Sequence, residues 1–212
     1  MPITIVNQPT PGKLVVVAFD ICSSSDIVEA LTLKGDLKRL QCLLTTVKRY
    51  LMDMQKTLFF DVYKFTGDGW ILLFPEDTDG KTLLKFLKDL CLFFKKELRK
   101  EVLQYLDSRP KVTGLKFGLE TGTLGAMKMY GRREYVGRAL NVACRLQSAI
   151  RDKGGSPANK ALVSNSVFND YFAPATGFRV FKVTRTLRNI QGGMRSRCRK
   201  IELLGSSSAT QL

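Results

Sequence analysis

The sequence predicts an α+β fold with the split βαβ layout of ferredoxin-like proteins, an antiparallel central sheet flanked by helices. Three observations carry that prediction. Apolar runs and long amphipathic segments follow one another as strand, helix, strand, strand, helix, strand, then later additions. The second and third strands are joined by Thr66-Gly67-Asp68-Gly69, and Asp-Gly between apolar strands signals a tight hairpin. The 212 residues are 44% apolar, enough for one sizeable core and too few for two comfortable domains.

In order, residues 1–11 read as a short arm, 12–204 as the domain and 205–212 as a small, polar tail that frays. Lys13 to Ile21 is β-branched and continuously apolar, as a buried strand requires. Ser23-Ser24-Ser25 turns the chain and offers N-cap hydroxyls to a helix over Asp26 to Gln55, with a break near Gly35. There Leu37, Leu40, Leu44, Val47 and Leu51 recur at three- and four-residue steps and form a core face. Leu58 to Phe65 and Trp70 to Phe74 are the hairpin strands. A second long helix spans Gly80 to Leu106, with Leu83, Leu84, Leu87, Leu90, Cys91, Phe94 and Leu98 on its apolar stripe. Lys111 to Thr121 is a strand, and Met127 to Val136 a hairpin arm with Tyr130-Gly131-Arg132-Arg133 at its tip. Gly137 to Arg151 is a third helix. Late strands cover Ala161 to Ser164, Phe178 to Leu187 and Arg199 to Leu203, with a short helix near Asn165 to Tyr171.

Lys and Arg number 34 against 19 Asp and Glu, a net charge of +15. Such a surplus points to anionic partners: nucleotides, nucleic acid or acidic lipid. There is no histidine, which removes Ser-His triads, histidine general bases and His-ligated zinc together. Five cysteines without paired spacing read as reduced thiols. Met1 to Gly12 lacks the apolar stretch of a signal peptide, and no segment approaches the ~20 apolar residues of a membrane span. The expected location is cytoplasmic.

Chemistry concentrates at few positions. Asp20 closes the first strand and Asp68 sits in the hairpin between Gly67 and Gly69. Each alone is an ordinary turn or cap residue. In a split βαβ fold, however, the first strand and this hairpin are neighbours, so the two carboxylates meet at one sheet end. Close carboxylates repel unless a cation lies between them, and hard cations such as Mg²⁺ or Mn²⁺ prefer oxygen ligands. The turn from Ile21 through Ser23 and Ser24 opens a helix whose amides suit a triphosphate. Asn141 and Arg145 stand four residues apart and share a helix face; Arg offers a fork of donors to phosphate, and Asn can orient a sugar oxygen.

With these residues in place, the chain resembles the class III nucleotidyl cyclase catalytic domain, the family of adenylate and guanylate cyclases, over about residues 13 to 204. The resemblance rests on Phe19-Asp20-Ile21, on Lys64-Phe65-Thr66-Gly67-Asp68, on the run from Leu115 to Gly122, and above all on the run from Tyr135 to Leu146. That last run is similar to the family's G-x-x-V-N-x-A-x-R-L pattern, with Leu140 in place of the usual Val. The resemblance implies class III additions to the ferredoxin-like core. It also implies two divalent ions, Mg²⁺ or Mn²⁺, held by Asp20, Asp68 and the backbone carbonyl of Ile21. Asn141 would orient the ribose, Arg145 would stabilise charge on the α-phosphate, and Lys116 and Arg188 would meet the phosphates. The reaction would be attack of the ribose 3′-oxygen on the α-phosphorus with loss of pyrophosphate. The family's head-to-tail dimer implies a homodimer with shared sites, clasped by the Tyr130 to Val136 arm.

Base choice in that family rests on the positions held here by Lys64 and Glu134. Lys64 matches the adenine type; Glu134 is longer than the usual Asp and also suits a pyrimidine edge. The Tyr135 to Gln147 run resembles the bacterial Pycsar branch, which makes cyclic UMP or cyclic CMP in antiphage defence. The expectation is therefore a pyrimidine cyclase, UTP ahead of CTP, with adenylate cyclase as runner-up. Neither a membrane nor a nucleic acid is expected as partner. A non-catalytic nucleotide- or RNA-binding module is the reading from another class, but the Arg/Lys-Gly-Phe-Gly-Phe-like aromatic run of RNA-binding sheets is missing; Lys116-Phe117-Gly118 is the nearest fragment.

Overall fold

In the computed structural model, residues 12–150, 155–173 and 177–205 are described. The arm assigned to residues 1–11 and all of the tail but Gly205 lie outside them. Strand β1 (Gly12–Ile21) leads into helices α1 (Ser24–Leu33) and α2 (Lys38–Leu58). The hairpin β2 (Asp61–Phe65) and β3 (Gly69–Pro75) follows, then α3 (Gly80–Glu101). Next come β4 (Leu115–Met129), β5 (Arg132–Val136), α4 (Arg138–Ser148) and β6 (Lys160–Ser164). The chain closes with the hairpin β7 (Arg179–Arg185) and β8 (Ser196–Glu202).

The sheet runs β2-β3-β1-β4-β6-β8-β7, with β5 paired to β4 beyond this path. Its first four members have the order of the split βαβ core, all antiparallel. The expected antiparallel sheet is in fact mixed, because β4 and β6 are parallel. The connection between them passes through α4, a crossover of the kind parallel pairing demands.

Side-chain alternation along β1 sorts the molecule into layers. Val15, Val17 and Phe19 enter the larger core with residues of α1, α2 and α3. Val16 and Ala18 face the other way, onto Ala139 and Ala143 of α4. The layers are therefore α1–α3, sheet, α4. Asp20 and Lys116 carry the parity of the α4 side, which fixes the face on which the site is built.

Several boundaries differ from expectation for local reasons. The first long helix breaks at Gly35, φ +66°, as anticipated. The strand expected from Leu58 begins only at Asp61, because α2 runs on to Leu58 and Phe59 caps it in the left-handed region, φ 53°. The strand expected from Lys111 begins at Leu115 and runs unbroken to Met129, supplying one side of the hairpin arm. Tyr130 and Gly131, both at positive φ, form the tip. The helix expected to Leu106 ends at Glu101 and continues as the 3₁₀ turn Leu103–Tyr105. Ser23 is itself left-handed, φ 54°, and its hydroxyl does not cap α1.

Candidate active site

The sheet register brings the acidic pair together. Asp20 stands opposite Gly69 across the β1–β3 ladder, and the Ile21 amide donates to the Asp68 carbonyl at 3.2 Å. Two glycines make this possible. Gly67 lies at φ +105°, and a Cβ on Gly69 would fall on the Phe19 carbonyl. The hairpin tip thus lies directly against the end of β1.

Three donors converge on the two carboxylates. Lys116, opposite Asp20 on β4, places Nζ 2.8 Å from Asp20 Oδ2. Gln147 of α4 donates from Nε2 to the same oxygen at 3.1 Å. The Ser24 hydroxyl donates to Asp68 Oδ2. Asp20 Oδ1 is buried and has no hydrogen-bond partner among the described residues. Burial, then the neighbouring Asp68 carboxyl, push the Asp20 carboxyl above its ordinary range, against the pull of Lys116.

This donor set fits a hard divalent cation. Two adjacent carboxylates, one with a buried oxygen lacking a partner, favour a cation between them. Among the described residues no cluster of three or more His, Cys, Asp and Glu side chains could hold a metal, so the protein side chains here offer two carboxylates at most. Further oxygens would come from the backbone at Ile21, from a nucleotide or from water.

The other expected residues fall into two groups. Lys64 Nζ lies 3.2 Å from Glu134 Oε2, joining β2 to β5. Tyr63 completes this cluster, its hydroxyl donating to the same Glu134 oxygen at 2.6 Å and accepting the Tyr135 amide at 3.0 Å. The Tyr63 hydroxyl, and after it Lys64, hold the Glu134 carboxyl below its ordinary range. Asn141 and Arg145, by contrast, are exposed on α4, while Ala139, Val142, Ala143, Leu146 and Gln147 are buried on its inner side. Within one chain the pair faces away from the aspartates. Arg188 is exposed in the β7–β8 connection, beside Leu187, which packs with Val142 and Leu146 under α4. No described hydrogen bond or ion pair joins it to the acidic pair.

Sequence reasoning missed Gln147, and it took Tyr63 as an aromatic that narrows the base pocket against a purine rather than as the hydrogen-bond partner of Glu134. Gln147 did leave a signal: it is a polar residue on the buried face of α4, four positions after Ala143.

No protein-family model matches the chain, and no curated protein sequence does. Solved structures do. The adenylyl cyclase CyaB from P. aeruginosa superposes with a TM-score of 0.63 at 19% identity, over 90% of this chain and 94% of that one. The guanylyl cyclase Cya2 gives 0.66 at 14% identity, over 94% and 96%. An adenylate/guanylate cyclase/hydrolase from Silicibacter pomeroyi gives 0.60 at 18%, over 90% and 96%. At these identities the likeness establishes the fold: the chain has the α+β architecture of class III cyclase catalytic domains across nearly its whole length.

Proposed function

We propose that this protein is a class III nucleotidyl cyclase that converts a nucleoside triphosphate to a 3′,5′-cyclic nucleotide and pyrophosphate. The observation that carries the reading is the meeting of Asp20 and Asp68 at one sheet end, with Asp20 Oδ1 buried and without a partner among the described residues. When bound, two Mg²⁺ or Mn²⁺ ions would acidify the ribose 3′-hydroxyl and neutralise phosphate charge.

The chain's own residues do the rest by position and charge. Asp20 and Asp68 hold the cations, with the Ile21 carbonyl beside them. Ser24 and Gln147 orient the two carboxylates. The Ser23–Ser24 turn at the start of α1 and Lys116 receive the triphosphate, with Arg188 at its periphery. Lys64 and Glu134 read the base, and Tyr63 fixes Glu134. Asn141 orients the ribose and Arg145 meets the charge that grows on the α-phosphate. Because these two project from the outer face of α4, they serve the site of a second copy, so the working unit is a homodimer with two shared sites.

The substrate is a pyrimidine nucleotide, UTP ahead of CTP, and the role is antiphage signalling. This rests on the resemblance of the Tyr135 to Gln147 run to Pycsar cyclases and on the longer reach of Glu134. ATP is the second reading, supported by Lys64 and by the adenylyl cyclases among the structural neighbours. Incubation of the purified protein with each of the four triphosphates and Mn²⁺ tests both. UTP or CTP turnover is expected; turnover of ATP alone ends the pyrimidine assignment. Asp68→Ala should abolish turnover, because the cations lose a ligand, with its unfolding midpoint little changed. Unaltered turnover would refute the metal assignment.

A further inference from the structure

The outer face of α3 carries a charge pattern that the cyclase reading does not use. Its exposed positions are Lys81, Thr82, Lys85, Lys88, Leu92, Lys95, Lys96, Arg99 and Lys100, so seven of nine are cationic and none is acidic. Lys81, Lys85, Lys88, Leu92, Lys95 and Arg99 follow one another at steps of four and three, a straight stripe on one side of the helix. At 1.5 Å per residue it is about 27 Å long. The helix's own acids are withdrawn: Glu97 is buried, and Asp89 and Glu101 are half-buried and paired with Lys85 and Lys100. Among the described residues, Lys81, Lys88, Lys95, Lys96 and Arg99 have no ion-pair partner. Like charges at these spacings repel, so the stripe opposes the helix that carries it. Lys48 and Arg49 of α2 are exposed on the neighbouring helix, which Tyr50–Phe93 stacking at 4.3 Å joins to α3, while Lys56 there pairs with the exposed Asp53.

We propose that this face docks on a membrane surface rich in anionic lipid. Three features favour lipid over nucleic acid. The cations are mostly lysines, point charges suited to a diffuse layer of headgroups rather than to bidentate recognition. An exposed leucine, Leu92, sits at the centre of the stripe and can enter the interface. No aromatic or amide side chain is exposed on α3 to stack on or read a base. The absence of an apolar span led the sequence reading to expect no membrane partner, but peripheral docking needs no span. The layer order leaves the docked protein working, because α3 lies on the sheet face opposite α4 and the acidic pair.

Sedimentation of the full chain with phosphatidylcholine vesicles, with and without phosphatidylglycerol, tests the proposal. Binding is expected only to the anionic vesicles, and release on raising NaCl from about 0.1 to 0.5 M. The triple variant Lys88→Glu, Lys95→Glu, Arg99→Glu should bind at least ~10-fold more weakly. Lys182→Glu, Arg195→Glu, Arg197→Glu makes the same change in net charge on the β7–β8 side and should bind as the parent does. Unfolding midpoints of both variants confirm that folded protein is compared. Absence of binding to anionic vesicles, equal loss in both triple variants, or displacement of vesicles by duplex DNA at equal phosphate with the α3 residues holding the DNA, overturns it. None of these readouts depends on turnover.

Discussion

Glu120 shows how a single ionisable group can set a pH dependence of stability. It is 6% exposed on β4, with Oε1 accepting the Thr121 amide at 3.0 Å and the Ser164 hydroxyl at 3.1 Å. Burial pushes its carboxyl above the ordinary range, although both donors pull it down. A raised folded-state pKa means that the neutral form is the one the fold favours. Glu120's contribution to stability is therefore complete below the unfolded pKa and is lost as pH rises through the folded one. Glu120→Gln keeps an acceptor for both donors and removes the charge. Its melting temperature relative to the parent should rise from acidic to neutral pH, with the change falling in the carboxylate range. A difference that is flat with pH would place the burial penalty elsewhere. Glu120 lies in the run from Leu115 to Gly122 that carried part of the family resemblance, yet nothing in that run marks it as buried. Asp20 and Asp68 were legible because strand ends and a hairpin state where a side chain goes. A charge in mid-strand states only its parity.

At the level of elements, α4 joins the two halves of the proposed site. Its inner face places Gln147 on Asp20, and its outer face presents Asn141 and Arg145. The helix can lie this close to the sheet because Gly118 has no side chain; a Cβ there would fall on the Ala143 carbonyl and the Gln147 amide. Gly118→Ala must push α4 off β4, a backbone shift that costs about 1–3 kcal/mol. Turnover should fall with it, since Gln147, Asn141 and Arg145 ride on the same helix. A loss of stability with unchanged turnover would show that α4's height above the sheet does not matter to the reaction. Helix positions were readable from three- and four-residue periodicity, and the hairpin from its glycines. Ends were read less well. Phe59 is apolar and looked like strand, but its left-handed backbone ends α2, a role its side chain does not announce. The start of β4 was placed too early because Lys111 to Gly114 are followed by an apolar strand. The parallel pairing of β4 with β6 is long-range and left no local trace.

For the whole molecule, the decisive arrangement is that the two halves of the proposed site lie on different sides of α4. Asp20 and Asp68 lie at the sheet end beside Lys116, while Asn141 and Arg145 project from the outer side of α4. If a two-fold pair of chains shares its sites, each site takes its aspartates from one copy and its Asn and Arg from the other. Asp68→Ala and Arg145→Ala, each inactive alone, should then complement. In an equal mixture with free exchange, half the dimers carry one copy of each variant. Such a dimer holds one site with both halves intact and one with neither. Half the dimers with half their sites restores about a quarter of parental activity. Adding more of either variant should lower the specific activity again, because homodimers of that variant displace mixed ones. A mixture as inactive as its components would mean that each site is completed within a single chain. That would require Asn141 and Arg145 to reach the aspartates around their own helix, which their place on its outer face opposes.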